Sequence, residues 1–237
     1  MMQTVHQSIH KMEFPNLLSR QLRTCDRKRP SFKLERAIKN CGKFSVCGID
    51  EAGRGALAGP LISAAIILPS RINLKVMDSK KLKVDERKVL LGKIVERAIS
   101  WSVGIASTQE INDVGIQEAT YISYLRAIKL LNPQPDFLLL DFYKLPNTNI
   151  DQFSITKGDE ISASIAAASI IAKVTRDNLM EKLSTKEQYT KYGWGQNCGY
   201  GTRDHLEKIR KFGPCDIHRK NYKPIDEMLS LRFDYLK

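Results

Sequence analysis

Phe44-Ser45-Val46-Cys47-Gly48-Ile49-Asp50-Glu51 is the stretch on which the fold turns. Up to Ile49 it alternates and is rich in β-formers, so it reads as a strand, and it then ends on two acids. A carboxylate at the tip of a buried strand loses hydration and needs a cation, a proton or several donors in exchange. The same pattern returns where Phe137-Leu138-Leu139-Leu140 runs into Asp141. If these two strands are neighbours, Asp50 and Asp141 lie side by side. Close carboxylates repel, and either a shared proton or a divalent ion resolves the repulsion. Taken singly, each acid also reads as the start of a turn or a helix cap.

Outward from this pair, Leu61 to Leu68 is a short apolar run stopped by Pro69-Ser70, a second strand. Trp101 to Ala106 gives a third, Phe137 to Leu140 a fourth and Gln152 to Thr156 a fifth. Helical spacing covers Val84 to Ile99, with Val84, Lys88, Leu91, Val95 and Ile99 near one face, and recurs from Val114 to Leu131. Ile161 to Leu183 is rich in Ala, Ser and Ile, small enough for a helix to pack tightly on a sheet. Three early strands followed by alternating helices and strands predict an α/β fold, a mixed sheet flanked by helices.

The 237 residues carry 38 Lys+Arg against 26 Asp+Glu, a net charge of +12, so a polyanionic partner is expected. With 42% hydrophobic and 27% charged residues, wholesale disorder is excluded. No apolar run reaches the roughly 18 residues of a membrane span, and Met1 to Lys11 lacks a secretory core, so the cytoplasm is the expected compartment. Five cysteines without CxxC argue against a disulfide framework or zinc ribbon. Four histidines without HExxH leave no zinc-hydrolase ligand set, so an all-oxygen site points to Mg²⁺ or Mn²⁺. Residues 1–43 hold ten Lys/Arg and three acids, +7 of the +12. They read as a basic, partly flexible extension with a short helix from Phe32 to Ile38, before a main domain over 44–224 and a tail over 225–237.

Gly53-Arg54-Gly55-Ala56-Leu57-Ala58-Gly59-Pro60 is a glycine-rich turn able to offer backbone N–H groups to a phosphate or sugar. A dinucleotide fingerprint is opposed by the next segment, because Leu61 to Leu68 has strand length where that motif needs a long helix. Asp159 is an expected N-cap for the Ile161 helix, and Asp177 an expected surface partner of Arg176.

Gly48-Ile49-Asp50-Glu51-Ala52-Gly53-Arg54-Gly55-Ala56-Leu57-Ala58-Gly59-Pro60 closely resembles the N-terminal signature of bacterial ribonuclease HII, the type 2 ribonuclease H. Asp78-Ser79-Lys80-Lys81-Leu82, Lys157-Gly158-Asp159 and Ala167 to Asp177 resemble its later blocks. So do Gly199-Tyr200-Gly201-Thr202 with His205, and His218-Arg219-Lys220. The resemblance covers Phe44 to about Pro224 and implies a ribonuclease H-like fold with a C-terminal helical region. It implies hydrolysis of the RNA strand of RNA–DNA hybrids and incision 5′ to ribonucleotides embedded in duplex DNA, leaving 5′-phosphate and 3′-hydroxyl ends. Asp50, Glu51, Asp141 and Asp159 are then the catalytic acids, holding two Mn²⁺ or Mg²⁺ ions in the reacting complex. Asp50 and Glu51 point to opposite faces of a strand, so one of them can contribute its backbone carbonyl. The resemblance further makes Gly53, Arg54 and Gly55 the reader of the ribonucleotide 2′-hydroxyl, with Tyr200 stacking on the following sugar. Lys80, Lys81, Lys173 and Arg176 become phosphate contacts, and the protein is expected to act as a monomer.

Departures from the pattern are Phe142-Tyr143 where Gly-Asn is usual after the acid, Cys198 where lysine is common, and Asn221-Tyr222 in place of Ser-Phe. The related ribonuclease HIII typically lacks an arginine between the glycines, so Arg54 favours type HII. A non-catalytic basic nucleic-acid-binding protein is the rival from another class.

Overall fold

The computed structural model describes residues 16–25, 30–69 and 83–234, with side chains up to residue 230. The expected Asp78–Leu82 block, with Lys80 and Lys81, lies outside the described residues.

In chain order the elements are helix α1 (16–23), α2 (Lys33–Asn40), strands β1 (Val46–Ala52) and β2 (Leu61–Ile67), and helix α3 (Val84–Arg97). Then come β3 (Ser100–Ala106), α4 (Thr108–Lys129), β4 (Phe137–Asp141) and β5 (Asp151–Ile155). Helices α5 (Ala163–Ser184), α6 (Trp194–Asn197), α7 (Arg203–Phe212) and α8 (Lys223–Asp234) complete the chain. The five strands form one mixed sheet in the order β3-β2-β1-β4-β5, flanked by helices as expected. β1 pairs with β4, and β4 with β5, in parallel. No described helix is long and apolar enough to cross a membrane.

By their contacts the residues fall into two compact units. The first comprises Met1–Asp50, Ala64–Ser102 and Ile128–Ile170, and the second Glu51–Ser63, Val103–Ala127 and Ile171–Lys237.

In the first unit, Leu18, Leu34, Ile38, Val46, Phe137, Leu139, Ile155, Ile161 and Ile165 form one apolar cluster. Leu34 and Ile38 are fully buried there, on α2, which stands where the short helix from Phe32 to Ile38 is expected, while most other described residues of the basic extension are exposed or half-buried. β4 reads as a continuous apolar run because all of Phe137 to Leu140 is buried, as in a strand covered on both faces. On α3 the expected face is displaced: Val84 and Ile99 are exposed, and the buried position is Ile94. The helix ends at Arg97, so Ile99 falls past it.

Gly48 explains how closely α5 approaches β1. A Cβ at Gly48 would lie 2.3 Å from the backbone carbon of Ser164. Only a glycine lets the start of the helix rest against the strand at that point.

In the second unit, Leu57, Ala58, Met180, Tyr189, Tyr192, Trp194, Ile209 and Ile225 make the core. Ile225, fully buried, anchors α8 in this core. α4 breaks at Gly115, whose φ of 79° no regular helix accommodates.

Candidate active site

The acids of the first unit follow from strand register. Ile49 of β1 lies opposite Leu140 of β4, so one step further Asp50 comes beside Asp141 on strands about 4.8 Å apart. Asp50 and Glu51 lie within β1 rather than after it, the strand running on to Ala52. Asp50 is buried, at 5% exposure.

Asp141 is held by the segment that leaves β5. The Gly158 amide donates to Asp141 Oδ1 at 2.7 Å, and Asp159, 1% exposed, comes directly after it in a 3-10 turn over Gly158–Glu160. Asp159 is therefore not the cap of the next helix. Ser162 takes that place, its Oγ accepting from the Ile165 amide at 3.2 Å. The helix begins at Ala163, and the tight turn uses up the residues between it and Asp159.

By register Asp50 stands beside Asp141, and buried Asp159 follows the Gly158 that donates to Asp141; carboxylate oxygens are donors that suit a hard divalent ion. Among the described residues, no three His, Cys, Asp or Glu side chains form a ready-made metal cage.

Phe142, directly after Asp141, sits at φ 60° and is exposed. A left-handed residue at this point accounts for glycine being the easier occupant, and Phe142 carries the strain instead. Its ring meets Tyr143 edge-on at 4.6 Å.

The glycine turn belongs to the second unit and is built around two buried arginines. Arg176 of α5 is fully buried and donates to the carbonyls of Pro60, Cys198 and Ala58 at 3.0–3.1 Å. Arg219, also fully buried, donates to the Gly59 carbonyl through two nitrogens and to the Arg54 carbonyl at 2.9 Å. Burial lowers both guanidinium pKa values, that of Arg219 to about 10, so Arg219 remains a cation at neutral pH.

Gly53, at φ 97°, leaves room for this arrangement: a Cβ there would stand 2.1 Å from Arg176 Nε. Arg176 thus shapes the turn from within, and the expected surface pair with Asp177 is replaced by Lys173–Asp177 at 2.8 Å. Lys173 and Arg176 also flank the Tyr200 ring, at 5.2 and 5.1 Å from its centroid, which fixes the ring's face.

Arg54 reaches out of the turn to Thr120 Oγ1 at 2.6 Å and Gln117 Oε1 at 3.3 Å, while Gly55 is exposed. Glu51 accepts from the Tyr124 hydroxyl and pairs with Arg54 at 3.8 Å. Its carboxylate is thereby committed to side chains of its own unit.

Tyr200 is held from behind by a buried polar chain that no motif announces. His205 Nδ1 lies 2.9 Å from the Tyr200 carbonyl, so it carries the proton. His205 Nε2 then accepts from Trp194 Nε1 at 3.0 Å and from His218 Nε2 at 3.3 Å. His218 Nδ1 accepts from the Cys215 amide at 2.9 Å. Both imidazoles are neutral, and burial lowers both pKa values, His218 to about 3.

Arg219, Tyr124 and this histidine chain are buried polar groups around the turn and Tyr200 to which the sequence reading gave no role. His205, His218 and Arg219 fall within recognisable blocks, but only their partners reveal their roles.

The family model described as Ribonuclease HII matches residues 47–225. A Ribonuclease HII of Geobacillus sp. (strain WCH70) is 45% identical over 201 residues, covering 84% of this chain and 72% of that one. Another, from Bacillus thuringiensis (strain Al Hakam), is 48% identical over 198 residues, covering 83% and 76%. Among solved structures, the ribonuclease H2 from Pyrococcus horikoshii OT3 is similar with a TM-score of 0.65 at 25% identity, covering 80% of this chain and 99% of that one.

Proposed function

The chain belongs to the ribonuclease HII family, metal-dependent endoribonucleases with ribonuclease H activity, and from that premise we propose its substrates and its chemistry. It hydrolyses the RNA strand of RNA–DNA hybrids and incises 5′ to single ribonucleotides in duplex DNA, leaving 5′-phosphate and 3′-hydroxyl ends. Asp50, Asp141 and Asp159 hold two divalent ions, Mn²⁺ or Mg²⁺, and Glu51 contributes through its backbone carbonyl. When bound, such ions supply the charge that activates the attacking water and stabilises the leaving 3′ oxygen.

The chain's own residues do the rest. The Gly158 amide orients Asp141. The Gly53–Gly55 turn reads the 2′-hydroxyl through backbone groups, the contact by which a protein tells RNA from DNA. Tyr200 stacks on the adjoining sugar, and Lys80, Lys81 and Lys173 meet phosphates. Arg176 acts on the substrate only through the turn it braces.

The observation that carries this reading is the parallel β1–β4 register, which sets Asp50 beside Asp141. The test is Asp141→Asn. Cleavage of a ribonucleotide-containing duplex is expected to fall by more than about 100-fold, since even outer-shell partners of a metal are worth 10–100-fold. Duplex affinity in chelator should stay within about threefold. A variant that cuts as well as wild type would remove Asp141 from the site and favour a binding protein with no such chemistry.

A further inference from the structure

Glu35 is an acid in a basic stretch, and it is 3% exposed. Its Oε1 accepts three hydrogen bonds: from Ser162 Oγ at 2.6 Å, from the Ser164 amide at 2.9 Å and from Ser164 Oγ at 2.5 Å. Its Oε2 is buried with no hydrogen-bond partner among the described residues. A carboxylate is expensive to bury, and α5 already has its N-cap in Ser162. Negative charge at a helix N-terminus is favourable, but that alone does not call for an acid reaching across from another helix.

What the acid holds is more specific. Ser31 donates its amide to the Ile161 carbonyl at 2.9 Å and accepts from the Ala163 amide at 3.1 Å, a short parallel bridge beside Ser162. Leu34 and Ile38 bury themselves against Ile161 and Ile165. Residues 31–38 therefore grip the segment 158–164 by backbone, by carboxylate and by apolar contact.

That segment carries Asp159, and its first residue donates to Asp141. Its last residue, Ser164, rests on Gly48, two positions before Asp50 on the same face of β1. The three acids of this unit are thus all tied to a segment that the N-terminal residues fasten.

We propose that Glu35 is a positioning residue for the acidic site, acting through Ser162 and Ser164 to fix Asp159 and the Gly158 amide that orients Asp141. Residues 31–38 are then a working part of the catalytic unit rather than a charged tail. The inference rests on the reading that these acids bind divalent ions.

The test compares wild type, Glu35→Ala and Glu35→Gln, each checked for a folded melt at the assay temperature. Mn²⁺ binding to the protein without substrate is read by the loss of free-ion EPR signal, and kcat and KM are measured on a ribonucleotide-containing duplex. Glu35→Ala is expected to weaken Mn²⁺ binding and lower kcat by about tenfold, the scale of outer-shell partners, with KM unchanged. Glu35→Gln keeps an acceptor at Oε1 and should recover to within about threefold of wild type. Should Glu35→Ala not fold, Ser164→Ala, which removes one donor, must show the same loss in Mn²⁺ binding and kcat.

A folded Glu35→Ala or Ser164→Ala protein that binds Mn²⁺ and turns over like wild type overturns the proposal. So does a rise in KM alone, which would make these residues a duplex contact. If wild type itself neither binds Mn²⁺ nor cuts, the reading of the acids fails and takes this inference with it.

Discussion

Lowering the pH from 7 to 5 should cost this protein about 2 kcal/mol of stability through His218 alone. The imidazole has no room for a second proton. Its Nδ1 already accepts from the Cys215 amide, and its Nε2–H already points at His205. An added proton at Nδ1 would face an N–H, and His205 Nε2 likewise faces the Trp194 N–H. Burial, and then the neighbouring His205, hold the folded pKa of His218 to about 3, against about 6.5 in the unfolded chain.

Above 6.5 neither state binds the proton and His218 contributes nothing to the pH dependence. Between 6.5 and about 3 the unfolded chain binds one proton more, so stability falls as pH falls. At about 1.4 kcal/mol per pH unit, the 1.5 units from 6.5 to 5 give about 2 kcal/mol. His205, lowered for the same reason, adds in the same direction.

The assay is urea unfolding at pH 7 and pH 5 for wild type and His218→Gln. Glutamine cannot titrate but can still donate towards His205. The variant starts less stable at pH 7, and its loss on going to pH 5 should be smaller than that of wild type by about 2 kcal/mol. Equal losses in the two proteins would refute the neutral, fully committed histidine pair and, with it, the way Tyr200 is held.

Two further substitutions test the close approaches. Gly53→Ala meets a φ of 97° and Arg176 Nε at 2.1 Å. Left-handed strain of about 1–2 kcal/mol and overpacking of about 1–3 kcal/mol should appear in urea melts, with preference for a single ribonucleotide lost more than general duplex affinity. An unchanged substrate preference would take the turn out of recognition. Gly48→Ala drives a methyl into the Ser164 backbone at 2.3 Å and should cost about 1–3 kcal/mol. Wild-type stability in that variant would mean that strand and helix are not in contact there.

The sheet and its acids are legible because they depend on local pattern. A β-rich run leading into Asp50-Glu51 and an unbroken apolar run leading into Asp141 are the marks of strands, and both prove buried on both faces. That the two strands are neighbours is a tertiary fact, and the sequence could pose it only as a condition.

In the N-terminal residues the short helix is legible but its buried contacts are not. Leu34, Ala37 and Ile38 are too few to stand out as a face among ten basic residues, and an acid such as Glu35 among lysines and arginines reads as solvated. Arg176 and Arg219 were hidden by their type, since arginine is rarely buried unless its donors are satisfied. Here backbone carbonyls of the glycine turn satisfy them, and no side-chain pattern encodes a carbonyl's position. Asp159 failed as a cap because a 3-10 turn intervenes, a boundary shift of the few residues by which pattern reading ordinarily misses.

A metal-dependent cut placed by a 2′-hydroxyl is the activity proposed for this chain, and one experiment addresses it without intermediaries. A DNA duplex carrying a single ribonucleotide is incubated with the wild-type protein and Mn²⁺ or Mg²⁺, and the products are mapped to the nucleotide. The expected outcome is one incision on the 5′ side of the ribonucleotide, with a 3′-hydroxyl and a 5′-phosphate at the nick, and intact strands in chelator or on the all-deoxy duplex. An uncut duplex with either metal, or cutting that ignores the ribonucleotide, would contradict it.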